Sequence, residues 1–487
     1  MNARWNSSWP MRWLPLLGAA LLSACAAVGP DYERPAVNLP AQYAVPVPAS
    51  DAPQVTATWW TLFGDATLNE LMEAARRHNT DVQAAVARVE QAEAVLREAD
   101  ALRWPSLGLS GSASRQRTSE LSATGTGATF NTFQLAATTG FEIDFWGRLR
   151  RASEAARAQA LATDYAREVV WQTVSGLLAQ SYFSLRMLDE QIALSQQTLA
   201  SREESLRLLR VRLQAGAAAS LDVEQAEAER AQAALQLREL QRQRELARSQ
   251  LALLSGQPQL QLAAGAVRDL PVPPVPPAGL PSTLLERRPD VRQAEALLAA
   301  ANAQIGVARA AMYPSISLTG LLGGQSAELS DLLKSGARIG TLGLSVDLPI
   351  FDAGRRRAQT AQAQARQREA LAAYQGAVQA AFRDVGDALT NLEAARAAQA
   401  DVQRAAQASE QALRIAQQRY EAGYSPYLEL LEAQRSANAA QLQVLDNRRA
   451  QLAATVELFK ALGGGWQDHA SLAATGWSHN AARHAHP

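Results

Sequence analysis

Cysteine occurs once in the 487 residues, at Cys25, which excludes an internal disulfide framework and any cluster built from cysteine thiolates. Lysine is almost as scarce: only Lys334 and Lys460 carry an ammonium, and arginine supplies nearly all other positive charge. Net charge is zero, so the chain lacks an electrostatic footprint for nucleic acid. Proline is missing from residues 106–257, 355–425 and 427–486, which leaves those spans free of the residue that breaks helices. Past residue 24 no apolar run reaches the ~20 residues of a membrane-spanning helix, so membrane insertion by the body of the chain would have to use strands. Histidine is confined to His78 and to His469, His479, His484 and His486 near the end. His78 reads as a helix-surface residue and the stretch past Gly465 as a flexible tail. No catalytic or metal-ligating constellation stands out, so neither an enzyme nor a cofactor is expected.

What the chain does have is an internal repeat at a spacing of about 207–209 residues. Asn79-Thr80-Asp81-Val82 returns as Arg288-Pro289-Asp290-Val291, and Trp104-Pro105-Ser106-Leu107 as Tyr313-Pro314-Ser315-Ile316. Gly147-Arg148 returns as Gly354-Arg355. Arg212, Ala215-Gly216, Leu221-Asp222 and Ala226 return as Arg419, Ala422-Gly423, Leu428-Glu429 and Ala433. Anchor points at a nearly constant offset mark a tandem duplication, with one supersecondary unit in each half.

The cysteine bears on the compartment. Arg4 and Arg12 precede an apolar run from Trp13 to Leu22, which is too short to cross a bilayer as a mature helix. The run ends in Leu22-Ser23-Ala24-Cys25, which resembles the bacterial lipobox, where the cysteine thiol is acylated. An ordinary signal peptide with an incidental cysteine is the other reading. Residue 26 is Ala rather than Asp, and similarity to the sorting rule then implies the outer membrane.

Four segments alternate as strands do. Leu107, Leu109, Gly111 and Ala113 alternate with Ser106, Gly108, Ser110 and Ser112. Over 133–145, Phe133, Leu135, Ala137, Phe141, Ile143 and Phe145 alternate with Gln134, Thr138, Glu142 and Asp144. The second half repeats this with Ile316 and Leu318 against Ser315, Ser317 and Thr319, and with Leu342, Leu344, Val346, Leu348 and Ile350 against Thr341, Gly343, Ser345 and Asp347. Strands of about 10 residues with one apolar and one polar face fit a transmembrane barrel. A small soluble sheet with one wet face would also fit; the lipobox and the duplication favour the barrel.

The proline-free spans are dense in Ala, Gln, Arg, Glu and Leu, which are strong helix formers. They predict helices over 148–215 and 220–255 joined at Gly216, and over 355–421 and onward to about 462 joined at Gly423-Tyr424-Ser425-Pro426. The expected organisation begins with a lipoprotein signal peptide at 1–24 and an extended segment at 25–66. The first repeat is expected at 67–265, with its β-hairpin at 105–145 and long helical hairpin at 148–255. A proline-rich connector at 266–281 leads to the second repeat at 282–465, with a β-hairpin at 314–350 and a helical hairpin at 355–462. A flexible tail at 466–487 completes the chain. Two β-hairpins supply four strands, and four strands cannot close a barrel. Since open edges are not tolerated in lipid, copies must share one. Two copies give eight strands and a filled interior, whereas three give twelve and leave room for water if the lumen conducts.

Residues 59–71 (Trp59-Trp60-Thr61-Leu62-Phe63-Gly64-Asp65-Ala66-Thr67-Leu68-Asn69-Glu70-Leu71), together with Asn79-Thr80-Asp81-Val82, Trp104-Pro105-Ser106-Leu107 and Cys25-Ala26-Ala27-Val28-Gly29-Pro30-Asp31-Tyr32, resemble the outer-membrane efflux lipoproteins of the TolC family, NodT/OprM subgroup. The resemblance covers about residues 20–465. It implies a mainly α fold with a transmembrane β-barrel contribution: a homotrimer with a 12-strand barrel in outer-membrane lipid standing on a periplasmic α-barrel. The implied function is the exit duct of a tripartite pump that exports small toxic compounds or drugs, with a periplasmic adaptor protein and an inner-membrane transporter as partners. The resemblance further implies Cys25 as the lipid anchor and a periplasmic gate with Glu429 and Glu432 in an acidic ring and Leu428 at an apolar constriction. It places Tyr420 and Asp222 where relatives make polar links that hold neighbouring helical hairpins closed. Some relatives carry a basic residue where this chain has Ser425, so one such link is in doubt. Unpaired, the Glu429–Glu432 face repeated around a narrow ring would repel itself. A duct for type I protein secretion would use the same body, and a periplasmic lipoprotein with helical hairpins but no pore is the alternative of a different class.

Overall fold

The computed structural model describes residues 27–37, 40, 56–121, 127–274, 276 and 284–466. Cys25, with the signal sequence before it, and the histidines of the tail lie outside the described residues. In chain order the main elements are α1 (Ala66–His78), α2 (Thr80–Ala101), β1 (Ser106–Arg117), β2 (Thr129–Glu142), α3 (Arg148–Gln214), α4 (Ser220–Ser255), α5 (Pro289–Ala310), β3 (Ser315–Ser326), β4 (Arg338–Asp347), α6 (Arg355–Glu421) and α7 (Tyr427–Ala461). Two compact units group these differently from the two repeats, each drawing on both. One comprises Met1–Ala36, Val89–Thr163 and Ala294–Tyr374; the other comprises Val37–Arg88, Asp164–Gln293 and Gln375–Pro487.

The repeated motifs are the punctuation of this fold. Asn79 caps α2: its Oδ1 accepts from the Asp81 and Val82 amides at 2.9 and 3.1 Å. In the second repeat Pro289 opens α5 and Asp290 Oδ1 accepts from the Val291 amide at 2.9 Å. Gly147 and Gly354 turn strand into helix at φ 78° and 87°. Acidic side chains cap the helices that follow: Asp144 accepts from the Leu149 and Arg150 amides, and Asp352 from the Arg356 amide. Beyond these starts, nothing interrupts α3 or α6, each of 67 residues. This is what the absence of proline predicts.

In the first unit the strands form one antiparallel sheet of order β1-β2-β3-β4. The register pairs Leu109 with Ala137, Phe141 with Leu318, and Leu318 with Leu344, so one face is apolar across all four strands. Ser112 pairs with Gln134, Glu142 with Ser317, and Ser317 with Ser345 on the polar face. The strand expected to run to residue 145 ends at Glu142; the Ile143 amide still donates to the Ile316 carbonyl of β3 at 2.8 Å, and Phe145 leaves the ladder. Phe145 joins an aromatic group instead. Trp146 stacks on Tyr313 with centroids 4.6 Å apart and donates its indole N–H to the Pro314 carbonyl at 2.8 Å. Likewise β4 ends at Asp347, so Leu348 and Ile350 lie beyond it, separated by Pro349. A proline cannot donate to a ladder, which accounts for the early end. Residues 27–34 are clamped within this unit by Arg34 on Glu295 at 2.7 Å and by Arg151 on Asp31 at 2.5 Å. Gly29, at φ 117°, crosses so close to Gly306 that a Cβ there would lie 2.6 Å from the Gly306 Cα.

The second unit is built on an aromatic core. Trp59, Trp60 and Phe63 are fully buried with Phe183 and Phe459, and the Trp59 ring lies 5.8 Å from both Trp60 and Phe459. His78 is exposed at the end of α1. No described helix is long and apolar enough to cross a membrane.

Candidate functional site

The tips of the two helical hairpins lie together in the second unit. Each long helix ends on a left-handed glycine, Gly216 at φ 73° and Gly423 at φ 78°. Two backbone bonds close each turn: Gly216 N–H to Leu213 and Ala217 N–H to Arg212, matched by Gly423 N–H to Tyr420 and Tyr424 N–H to Arg419. An apolar cluster then joins the tips, with Leu206, Leu209 and Ala226 from the first hairpin and Ala416, Tyr427, Leu430 and Leu431 from the second. Tyr420 packs on its edge, 5.8 Å from the Tyr427 ring. Burial pushes the Tyr427 hydroxyl above its ordinary pKa.

The residues singled out by resemblance are distributed around this cluster. Leu428 is half exposed beside the turn. Glu429 and Glu432 stand on α7, both on its open side, and each carries a guanidinium partner. Arg419 Nε lies 3.1 Å from Glu429, and Arg435 Nη1 lies 2.7 Å from Glu432. Arg435 also pairs with Glu229 of the first hairpin, and these carboxylates, Glu229 foremost, hold its proton more tightly than usual. Arg202, buried on α3, completes the group 3.9 Å from Glu229. The carboxylates are therefore not bare, and the repulsion expected of an unpaired acidic face is offset within the chain itself.

Tyr420 and Asp222 are not brought together as a hydrogen-bonded pair within the chain. The Tyr420 ring instead carries the guanidinium of Arg212, whose Cζ is 5.2 Å from the ring centroid. Asp222 sits in the first turn of α4, half-buried. The arginines are what sequence reasoning missed. Arg212 and Arg419 stand in the repeated motif, and that recurrence is the signal that could have singled them out. For Arg202 no comparable signal exists, and for Arg435 only the three-residue spacing to Glu432 does, because Glu229, which both approach, stands on another helix. Among the described residues no group of three or more His, Cys, Asp or Glu could hold a metal ion.

The chain matches the family model for outer membrane efflux proteins over residues 71–257 and 280–464. It is 37% identical to the outer membrane protein OprJ of Pseudomonas aeruginosa over 473 residues, 94% of this chain and 96% of OprJ. The cation efflux system protein CusC of Escherichia coli K12 is 34% identical over 474 residues, 94% of this chain and 100% of CusC. The toluene efflux pump outer membrane protein TtgI of Pseudomonas putida is 35% identical over 473 residues, 93% of this chain and 98% of TtgI. Among solved structures, the open state of the Neisseria gonorrhoeae MtrE outer membrane channel matches with a TM-score of 0.82 at 33% identity, over 90% of this chain and 98% of that one. Matched in both repeats and over nearly its whole length, the chain belongs to the outer membrane efflux protein family and is an outer-membrane efflux channel.

Proposed function

We propose that three copies of this chain close a twelve-stranded barrel and form the exit duct of a tripartite efflux pump, meeting a periplasmic adaptor protein and an inner-membrane transporter. The sheet carries this reading. It has an apolar face across four strands, and among the described residues its outer strands β1 and β4 each have a ladder partner on one side only. An open edge leaves unpaired amides and carbonyls, which lipid does not tolerate, so β4 of one copy pairs with β1 of the next. Three copies bring the twelve strands that leave a water-filled lumen.

The duct is passive and non-enzymatic; the transporter supplies the energy. The tips carry the periplasmic gate, with Leu428, Glu429, Glu432, Tyr420 and Asp222 around its mouth, and an acyl chain on Cys25 anchors the assembly. Relatives are named for cargo as unlike as cations and toluene, which supports selection upstream of the duct. For this chain the cargo class is small toxic compounds or drugs. Purified protein in planar bilayers should give ion channels, and native mass should be three times that of the mature chain. A folded monomer that gives no conductance would overturn the proposal.

A further inference from the structure

Charge is sorted along the sheet in a way that closing a barrel does not require. Strands β1 to β4 hold three basic side chains, Arg115, Arg117 and Arg338, and two acidic ones, Glu142 and Asp347. Both acids stand where the strands meet the helices, at the ends of β2 and β4. All three arginines stand at the opposite end, where β1 closes and β4 opens. They also share a face. Arg115 and Arg117 continue the alternation of Leu107, Leu109, Gly111 and Ala113, and Arg338 continues that of Leu344, Leu342 and Gly340, so the apolar face ends in guanidinium groups. Arg117 has Glu120 at 3.8 Å. Arg115 and Arg338 are exposed, and their side chains have no hydrogen-bond or ion-pair partner among the described residues.

We propose that these arginines bind the phosphate groups of a lipid in the outer leaflet of the membrane, at the seams between copies of the chain. The inference rests on the duct reading. With the helices in the periplasm, the arginine end of the sheet faces the outside of the cell. Antiparallel pairing of β4 of one copy with β1 of the next then brings the Arg338 end of β4 beside the Arg115 and Arg117 end of β1, once at each of three seams.

Three observations favour a lipid over a free anion. The arginines directly continue an exposed apolar face that includes Leu109, Leu342 and Leu344, so one molecule can lay acyl chains on the leucines and phosphates on the guanidinium groups. The loop between β3 and β4 folds back onto that same face. Gly324, whose ladder partner is Leu135 of the apolar face, lies so close under the loop that a Cβ there would be 2.4 Å from the Leu332 carbonyl oxygen. This loop carries the exposed Leu329 and Leu333 and one of the chain's two lysines, Lys334, which pairs with Asp331. The loop's other acid, Glu328, follows β3, one strand further from the seam. Finally, arginine on a lipid face is costly at the midplane and cheap near an interface, where its stem reaches the headgroups and its planar fork matches a pair of phosphate oxygens.

The experiment is native mass spectrometry of the full-length protein in detergent, titrated with bis-phosphorylated lipid A or with the same lipid stripped of its phosphates. The wild type should retain up to three bis-phosphorylated molecules per trimer. It should bind them about 25-fold more tightly than the stripped lipid, from about fivefold for each of the two unpaired arginines at a seam. Arg115→Gln with Arg338→Gln should abolish that preference, whereas Arg115→Lys with Arg338→Lys should keep most of it. Arg355→Gln, which removes an exposed arginine at the helix end, should leave it unchanged. Excess inorganic phosphate should not displace the lipid; displacement would mean that the arginines recognise a free anion, and the lipid assignment would fall. The proposal is equally overturned if the stripped lipid binds wild-type protein as tightly, or if Arg355→Gln costs as much as the double glutamine variant. The comparison of the two lipids on wild-type protein decides the matter even where a variant fails to assemble. A wild type that stays monomeric sinks the duct reading, whereas trimers without a phosphate preference sink only the lipid site.

Discussion

The four-stranded sheet and the aromatic core of the second unit use the same class of side chain in opposite ways. Leu107, Leu342 and Leu344 stand out from the sheet at 83%, 80% and 66% exposure, whereas Trp59, Phe63 and Phe183 are at 0%. In water the first arrangement is a liability, because a contiguous exposed apolar face drives association. In lipid it is the required one. Each region is therefore folded for its own solvent, and a substitution reports which solvent its site was made for.

The largest expected effect lies in the core. Trp59→Ala should lose about 3–5 kcal/mol of stability, because the indole packs against Trp60, Phe63 and Phe459 and its removal leaves a cavity. Thermal unfolding in detergent reads this loss directly. Trp59→Phe should lose much less, since the buried indole N–H has no hydrogen-bond partner among the described residues to forfeit. If Trp59→Ala and Trp59→Phe prove equally harmful, packing around this ring is not what holds the unit.

The sheet gives a smaller, solvent-specific effect. Leu344→Arg on the apolar face should impair membrane insertion by roughly 2–4 kcal/mol if it sits near the bilayer midplane. Ser345→Arg, on the opposite face of the same strand, should be tolerated better, because it would point into the wet lumen. Urea titration of folding into vesicles separates the two. Equal penalties would mean that the register of β4 does not set a lipid face, and the comparison with the core would fail.

Much of this was legible in the sequence because local rules decide it. Alternation in β1 and β3 fixed which side chains share a face, and missing proline allowed the two long helices. The repeated Gly216 and Gly423 marked the turns, since the left-handed conformation favours glycine. Strand ends were less legible: Phe145 alternates as well as Phe141 does, yet it lies outside the ladder, edge-to-face against Trp146. The tip chemistry was the least legible part. That Glu432 shares Arg435 with Glu229 depends on how α4 and α7 pack, and no spacing along either helix encodes it.

The smallest expected effect tests that shared arginine. Glu432 is more than half exposed, as is Glu429's partner Arg419, so neither ion pair contributes more than about 1 kcal/mol to stability. Their value lies in charge. Glu432→Gln leaves Arg435 on Glu229 alone, and each copy then gains one unit of positive charge at the mouth. Cation preference should fall and block by divalent cations should weaken, with resting conductance little changed, because Glu432 joins no contact of the apolar cluster. Glu429→Gln changes the charge equally but frees Arg419, whose pair closes the second turn, so it should also raise resting conductance. Recording both variants under a salt gradient tests the assignment. If Glu432→Gln leaves both selectivity and divalent block unchanged, that carboxylate is a solvated surface charge and does not line the gate.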